Sequence, residues 1–434
     1  MEAAELIERK RDGEELSQQE IVQFFDAYFR GAVPDYQMGA FLMAVYHHGL
    51  TDREVDALAA YLFGTGNSIE LSAVPGAKVH LYSTGGVGDK AGIVAASLAA
   101  AAGVVVPMFG DRARGRFGGI LDKMESIPGF RTKLSFDELR TQLNQLGLCF
   151  AEPTADVAPR ERELQMLREA TATAESVPLL AACIMARELA YGVDGYAFDV
   201  KVGAGSLVKR QIDGRRLGQL MVTICRRRNK RAQALITDMN QPLGYAIGNA
   251  LEIMEVSQTL QNVGPTDLTQ LSVELAARMI YLAGITATTR EAREMAQAKL
   301  LDGSGYRKLK DVIEAQGGDP RVLDRFELLP NALGAQEVVT PRAGWVSAID
   351  AEDIARAAAM IGASPDNPKG RIDPAVGIVL EVKVGQRVEA GSVLCRLYYT
   401  DNDQLQEAAQ AVEDAFRISN QPSEAKELIL EVVG

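Results

Sequence analysis

The sequence predicts an α/β protein with a small helical lobe, a large mixed or parallel α/β lobe and a C-terminal α+β portion. Three observations lead to this fold class. Amphipathic helical patterns fill residues 1–75, a β–loop–α–β unit begins near residue 78, and hairpin-like alternation appears beyond residue 335. Because the chain has 434 residues, we expect more than one packed unit.

The helical lobe is assigned to residues 1–75 together with 159–192. Ser17 and Glu20 have the spacing of a capping box before an apolar run, and Thr51 and Glu54 repeat that spacing. Segment 159–192 is helical by pattern, which brings it to the same lobe.

The α/β lobe is assigned to residues 76–158 together with 193–334. An uncharged run from Ala91 to Phe109 is long enough to suggest a membrane span, but its alanine-rich centre, glycines and proline favour a buried helix followed by a buried strand. Strands are predicted at Val79–Tyr82, Val104–Val106, Gly195–Val202 and Arg231–Ile236.

The C-terminal α+β region is assigned to residues 335–434. Gly344–Ile349 has a strand pattern, and Gly377–Val388 combines alternation with hairpin punctuation. The second segment has some likeness to half of a biotinyl or lipoyl motif. It lacks the modified-lysine signature of either, so a structural role is favoured.

Composition limits the possible partners and the compartment. A net charge of -12 argues against nucleic acid or an anionic membrane as the main partner. The N-terminal residues have no signal-peptide pattern. The four cysteines are far apart and form no C-x-x-C pair, which favours a reducing cytoplasm over a disulfide framework or a zinc cluster: Cys149, Cys183, Cys225 and Cys395.

A glycine-rich loop at residues 83–90 is the first candidate site. Gly85 and Gly86 let the backbone approach a ligand, and the following helix N-terminus favours an anion such as phosphate. The loop matches neither the P-loop nor the dinucleotide-binding pattern. A tight strand-to-helix turn without a ligand is equally consistent with it.

Arginines supply two further candidate sites. Arg112, Arg114 and Arg116 alternate in a loop after a buried strand, where α/β sheets bind ligands, although a solvated basic loop would have the same pattern. Arg168 and Arg187 flank segment 171–178. Their spacing does not show that they converge, and two surface arginines are the simpler interpretation.

Ordered blocks along the chain resemble the pyrimidine-nucleoside and thymidine phosphorylases. The resemblance implies a homodimer whose two lobes close over a cleft, and a reaction in which inorganic phosphate attacks C1′ of a pyrimidine nucleoside without any required cofactor. The blocks are Lys10–Gly13, Pro34–Met38, Ser83–Lys90, Leu121–Phe130, Arg168–Pro178, Asp238–Glu252 and Asp373–Leu380.

The resemblance also assigns residues to the two ends of the cleft. Tyr82, Arg168, Cys183 and Arg187 take the base-binding positions, and Tyr82 and the two arginines would be catalytic. Where the family holds phosphate with a lysine, three serines and a threonine, this chain has Leu81, Ser83, Gly92, Gly110 and Ile120. Losing four such contacts costs on the order of 5 kcal/mol, or ~10³–10⁴-fold in phosphate affinity.

A rebuilt anion site is therefore expected. The hypothesis is that Arg114 and Arg116 supply it, together with Arg112, which the family retains. Ser83, Gly85 and Gly86 would complete it.

The family also places a monovalent cation near Gly88, Leu243, Ala246 and Glu255. Lys90 stands beside that position, so its ammonium could take the same role. His47–His48 lacks the helical spacing of a metal pair.

The predicted function is phosphorolysis of a pyrimidine nucleoside to free base and (deoxy)ribose 1-phosphate. Two alternatives remain open at this point. One is a nucleoside hydrolase in which Asp111 or Glu169 activates water. The other is an inactive homologue that binds a nucleoside or nucleotide.

Overall fold

The computed structural model describes residues 2–113, 118–367, 369–401, 403–424 and 426–434. The chain opens with helices whose apolar faces pack together around aromatic side chains such as Phe24 and Phe41. Both capping boxes are confirmed, because Ser17 accepts from the Glu20 N–H and Thr51 from the Glu54 N–H. These helices are α1 Ala3–Arg11, α2 Gln18–Phe29, α3 Asp35–His48 and α4 Asp52–Phe63.

The first β–α–β unit follows. The uncharged run forms a buried helix and a buried strand, as the sequence predicts. Within the described residues, no helix combines the length and apolarity needed to cross a membrane. The elements are β1 Val79–Ser83, α5 Ala91–Ala101, β2 Val106–Phe109, α6 Ile120–Glu125, α7 Phe136–Leu146 and β3 Leu148–Ala151.

The chain then returns to the N-terminal helices. Helices α8 Pro159–Ala170 and α9 Val177–Ala190 pack against α3 and α4 respectively. The helical lobe is thus built from two separate segments of sequence. The second segment, α8 and α9, faces the carboxyl ends of β1 and β2.

The central sheet has the order β1-β4-β5-β13, with its first three strands parallel and β13 antiparallel at the edge. Strands β2 and β3 pair with each other in parallel, and a bridge from Val105 to Lys78 joins them to the β1 side. The elements are β4 Gly195–Val202, α10 Gln211–Arg227, β5 Arg231–Asp238, β6 Ala246–Ile247, α11 Asn249–Leu260, α12 Thr266–Leu282, α13 Thr289–Leu301 and α14 Ser304–Ala315, then the 3₁₀ helices Pro320–Leu323 and Phe326–Leu328.

The C-terminal portion is α+β and shares strands with the α/β lobe. Strand β6 pairs with β9, and β13 completes the edge of the central sheet. Two antiparallel sheets, β10-β8-β12 and β6-β9-β11-β7, carry this portion. The elements are β7 Gly334–Val339, β8 Gly344–Ile349, α15 Ala351–Met360, β9 Gly377–Leu380, β10 Arg387–Val388, β11 Val393–Tyr399, α16 Leu405–Ala415, β12 Phe416–Ser419 and β13 Ile429–Val433.

Strand β4 separates two hydrophobic cores. Its alternate residues Tyr196, Phe198 and Val200 face the core shared with the helical lobe, whereas Ala197 faces the core beneath α5 and α12. This alternation follows from the period of two in a strand. It leaves the carboxyl ends of β1 and β4 at the boundary between the lobes.

Candidate active site

A cleft of about 690 Å³ lies between the lobes, at the carboxyl ends of β1 and β2. This volume is within the range of pockets that enclose small organic ligands. Helices α8 and α9 of the helical lobe form one wall, and the glycine loop and the first turns of α5 and α6 form the other. Parallel α/β sheets bind ligands at this edge.

The base-binding residues named from the resemblance are brought together at the α8–α9 wall. Tyr82, Arg168, Cys183 and Arg187 all line the cleft. Cys183 and Arg187 share a face of α9 because they are four residues apart. The side chains at these positions converge, so the interpretation as two unrelated surface arginines is wrong.

Arg187 is held by carboxylates. Its Nη1 donates to both oxygens of Asp111 at 2.9 Å, and its Nε lies 3.5 Å from Glu161. Burial works against the charged guanidinium, but these carboxylates outweigh burial and raise the pKa of Arg187 well above its usual value. The guanidinium is thus permanently charged and fixed in orientation.

Arg168 and Tyr82 offer hydrogen-bond donors to a ligand. Arg168 is 3% exposed and donates from Nη2 to the Ala174 carbonyl, while its buried Nε has no hydrogen-bond partner among the described residues. Burial raises the pKa of Tyr82, so its hydroxyl stays protonated. Burial likewise raises the pKa of the Cys183 thiol to about 11, which leaves it a weak neutral donor.

Ser83 begins the glycine loop and is tied to a buried charge network. Its hydroxyl donates to Asp89 at 2.6 Å and accepts from the Gly85 N–H at 3.2 Å. Lys201 Nζ lies 3.4 Å from Asp89 and 2.7 Å from Asp199. The structure thus places a buried lysine and two carboxylates under the loop, and sequence reasoning missed both Lys201 and Asp199.

The pKa values of the two carboxylates in this network are shifted in opposite directions. Burial and the nearby Asp89 charge raise the pKa of Asp199. Burial also acts on Asp89, but the charges of Lys201 and Lys123 outweigh it and hold the pKa of Asp89 below its usual value. Asp89 is therefore the more readily ionised of the two, and it accepts from Ser83.

The glycines of the loop have different roles. Gly85 lines the cleft at φ +81°, and a Cβ built there would meet nothing within 4 Å. A Cβ at Gly86 would lie 2.8 Å from Met239 and 2.9 Å from Lys201. Gly86 is thus required for packing beneath the loop, and it is absent from the cleft lining where the sequence placed it.

The opposite end of the cleft is apolar. Leu81, Met108 and Ile120 line it, and a Cβ at Gly92 would lie within 3.7 Å of all three side chains. A Cβ at Gly110 would meet Ile120 at 2.3 Å. The positions that hold phosphate in the family are therefore adjacent here, and Ser83 is the hydroxyl that survives among them.

The arginine loop is partly defined. Arg112 donates to both oxygens of Glu125 at 2.6 and 2.9 Å and to Glu152 at 3.0 Å. Its charge is therefore neutralised by carboxylates, which anchor the loop beside the cleft. Arg114 and Arg116, the other two members of the hypothesised anion site, lie outside the described residues.

Lys90 occupies the surroundings expected of a monovalent cation. Its buried Nζ lies 3.1 Å from the Leu243 carbonyl, 2.7 Å from that of Ala246 and 2.6 Å from Glu255. A Cβ at Gly88 would lie 3.3 Å from this nitrogen. An ammonium thus contacts three of the four residues that the sequence named for the ion, Leu243, Ala246 and Glu255.

The two residues considered as bases also line the cleft. Asp111 is held by Arg187, and Glu169 accepts from Gln165 at 3.0 Å. Sequence reasoning missed a buried pair beneath them, His80 and Glu188. The signal available for it was the position of His80, two residues before Tyr82 on the same strand, and hence on the same face.

Family comparisons agree with this architecture. Residues 4–63 match the helical bundle domain of a glycosyl transferase family, and residues 76–306 match the a/b domain of that family. Residues 345–419 match the pyrimidine nucleoside phosphorylase C-terminal domain. The three matched ranges follow the helical lobe, the α/β lobe and the C-terminal portion in order, except that α8 and α9 lie within the second range.

The crystal structure of anthranilate phosphoribosyltransferase from Thermus thermophilus has the same fold in part. It superposes with a TM-score of 0.57 at 19% identity, covering 73% of this chain and 99% of that one. The likeness concerns the fold alone.

Curated relatives extend over the full length. Pyrimidine-nucleoside phosphorylase from Geobacillus stearothermophilus is 38% identical over 433 residues, covering 100% of both chains. The enzyme of that name from Bacillus subtilis is 38% identical over 419 residues, covering 96% of each. With this identity over its whole length, the chain belongs to the pyrimidine-nucleoside phosphorylase family.

Proposed function

We propose that this protein is a pentosyltransferase that cleaves a pyrimidine nucleoside with inorganic phosphate, giving the free base and (deoxy)ribose 1-phosphate. The observation that carries the proposal is the convergence of Tyr82, Arg168 and Arg187 with Ser83 in one interlobe cleft. The curated relatives are named as pyrimidine-nucleoside phosphorylases. They give no support to the alternatives of a hydrolase or an inactive homologue.

The α8–α9 wall suits a departing base. When the glycosidic bond breaks, the electron pair goes to the pyrimidine ring, and Arg168 and Arg187 stabilise the resulting negative charge. The protonated Tyr82 hydroxyl adds a donor. The Arg168 side chain lines this wall, and its buried Nε has no hydrogen-bond partner among the described residues.

The α/β wall suits the attacking phosphate less well than in the family. Ser83, Thr84 and the loop at Gly85 supply the polar lining there, opposite Leu81 and Ile120. We expect phosphate to bind weakly in the open cleft, because the charge of Arg112 is already taken by Glu125 and Glu152. Completion of the anion site by Arg114 and Arg116 stays a prediction. No cofactor is required by this chemistry.

Closure of the cleft would align the two reactants. The base-binding arginines belong to the helical lobe, and Ser83 belongs to the α/β lobe. A change in lobe separation thus sets the distance between the phosphate oxygen and C1′, and alignment of this kind supplies much of the rate enhancement. We further propose a homodimer in the cytoplasm, where the free, buried cysteines stay reduced.

Base release measured by chromatography tests the function. Purified protein is incubated with uridine, thymidine or cytidine, each with and without phosphate. We expect release that requires phosphate for at least one nucleoside. Release at the same rate without phosphate would contradict phosphorolysis, and no release with any of the three would contradict the assigned substrate class.

Arginine variants locate the activity in the cleft. Arg168→Ala should lower kcat about 10²-fold, because one donor to the developing anion is lost. Arg160→Ala on the same helix is the matched control. Arg160 donates to Glu163 at 2.7 Å and is not among the residues that line the cleft. Equal effects of the two variants would argue against a base site at Arg168.

A further inference from the structure

We propose that His80 and Glu188 form a buried, proton-sharing pair that positions Arg187 and Asp111 at the base end of the cleft. His80 is 1% exposed and lies on β1 beneath Tyr82. Its Nδ1 lies 2.7 Å from Glu188 and its Nε2 lies 3.0 Å from the Phe109 carbonyl. For its kinetic consequence, the proposal rests on the proposed function.

The proton count of the pair follows from its partners. The Phe109 carbonyl can only accept, so Nε2 carries a hydrogen. A second proton must lie in the short contact between Nδ1 and the Glu188 carboxyl. The proton can lie on His80, giving imidazolium and carboxylate, or on Glu188, giving imidazole and carboxylic acid. Both states have the same number of protons. The pair therefore holds two protons with zero net charge.

His80 links the two segments whose side chains form the Arg187–Asp111 contact: it is bonded to Glu188 on α9 and to the Phe109 carbonyl on β2. Glu188 is the next residue after Arg187 on α9. Phe109 lies two residues before Asp111, whose carboxylate accepts from Arg187 at 2.9 Å. His80 thus fixes the distance between α9 and the end of β2, and that distance sets where the Arg187 guanidinium stands.

The surroundings of the pair are rigid. The centroid of the Tyr191 ring lies 5.1 Å from that of the His80 ring, in an edge-on arrangement, and 4.5 Å from that of the Phe109 ring. The Tyr196 hydroxyl donates to the backbone carbonyl of Glu188 at 2.8 Å. The titratable and charged groups that face the pair are Tyr82, Asp111, Arg187, Tyr191, Tyr196 and Cys225.

Nuclear magnetic resonance of protein labelled with ¹⁵N-histidine tests the proton count without any substrate. The sequence has three histidines, and the exposed His47 and His48 serve as internal references for imidazoles in contact with water. At neutral pH we expect both His80 nitrogens to be bound to hydrogen or to share one. A His80 nitrogen with the chemical shift of a bare imidazole nitrogen would overturn the proposal.

Kinetics test the positioning. The His80→Leu/Glu188→Leu double variant removes both polar groups at once, so no buried charge is left unpaired and the fold should survive. We expect kcat/KM for base release to fall about 10- to 100-fold, because small misplacements of binding groups have effects of that size. His47→Gln is the control and should match the wild type.

The outcomes separate the two proposals. Wild-type protein that releases no base would defeat the proposed function, while the resonance experiment would still decide the proton count. A folded double variant with the wild-type kcat/KM would overturn the positioning role. If the double variant fails to fold, Glu188→Gln replaces it: its amide N–H can donate to Nδ1 of His80 while Nε2 still donates to the Phe109 carbonyl. Glu188→Gln should retain more activity than Glu188→Ala, and equal activity of the two variants would overturn the positioning role.

Discussion

Lys90 shows how one side chain can replace a bound ion. Its ammonium is buried against two backbone carbonyls and Glu255, which also accepts from the Tyr245 and Ala246 N–H groups. The lysine follows the glycine loop directly, so the contact ties that loop to the segment before α11. A covalently attached cation needs no particular salt, so we expect the folded state to be indifferent to the monovalent ion present.

Lys90→Ala should lower the free energy of unfolding by about 3–5 kcal/mol, because it leaves the Glu255 carboxylate buried without its counter-charge. Urea denaturation in potassium and in choline salts measures this. We expect potassium to restore part of the loss in the variant and to leave the wild type unchanged.

Lys209→Ala is the control for this measurement. Lys209 also pairs with a carboxylate, Glu352, but the two side chains are 41% and 43% exposed. Its removal should change stability by about 1 kcal/mol or less. Equal losses in both lysine variants, or a wild type that needs potassium, would contradict the role given to Lys90.

At the residue level, the sequence indicates a site where a motif carries the information. Arg168 begins one of the family-like blocks, and the resemblance assigns Tyr82 and Arg187 beside such blocks; all three line the cleft, and their roles stay predictions. Their partners could not be predicted, since Asp111 and Arg187 are 76 residues apart and meet only through the packing of α9 on the end of β2. The same reason hid Lys201, whose role depends on a carboxylate from another loop.

At the level of elements, the first turns of α5 and α6 supply the backbone and side chains that face the expected phosphate position. Gly92 lies in the first turn of α5 and Ile120 begins α6, and both face the cleft. A helix start is an intrinsically favourable place for an anion. Here the side chains at these starts contribute no hydrogen-bond donor, so the backbone must do most of the binding.

Gly92→Ser with Ile120→Thr should lower the KM for phosphate about tenfold for each hydroxyl that reaches the anion. A Cβ at Gly92 would come 3.2 Å from the Met108 methyl group, the flexible end of that side chain, so serine fits. Initial rates against phosphate at saturating nucleoside measure the change. Gly92→Ala with Ile120→Val has nearly the same volume without hydroxyls, and an equal KM in the two double variants would contradict the prediction.

Element boundaries were predicted well where short-range chemistry sets them. The capping boxes fixed the starts of α2 and α4, and the strand Gly195–Val202 has the predicted bounds. The predicted strand at Val104–Val106 was placed early: β2 runs over Val106–Phe109. The pairing of β13 with β5 could not be foreseen, because nearly 200 residues separate those strands.

At the scale of the whole molecule, the three portions are interlocked. The helical lobe takes α8 and α9 from the middle of the chain, and the C-terminal portion returns β13 to the central sheet. Relative motion of the lobes therefore involves the connections on both sides of α8 and α9. Such motion would open and close the cleft while leaving each core intact.

The outer face of the helical lobe carries an exposed apolar stripe, and we propose it as the interface of the proposed homodimer. Tyr36 and Met43 are seven residues apart on α3, so they lie on one face, and they are 77% and 37% exposed. Tyr46, at 42% exposure, continues the stripe. Contiguous exposed apolar groups of this kind are typical of interfaces.

Tyr36→Glu with Met43→Glu should convert the proposed dimer to a monomer, because a two-fold interface places each charge twice against the same apolar surface. Sedimentation equilibrium measures the mass directly. Leu333→Glu introduces a charge at a leucine that is 83% exposed outside the helical lobe, and it should leave the dimer intact. A double variant that stays dimeric would place the interface away from α3. A monomeric wild type would contradict the proposed homodimer. Dissociation by the α3 charges alone would mean that the helical lobes are joined across the dimer, so that each cleft closes by movement of its α/β lobe against a fixed helical core.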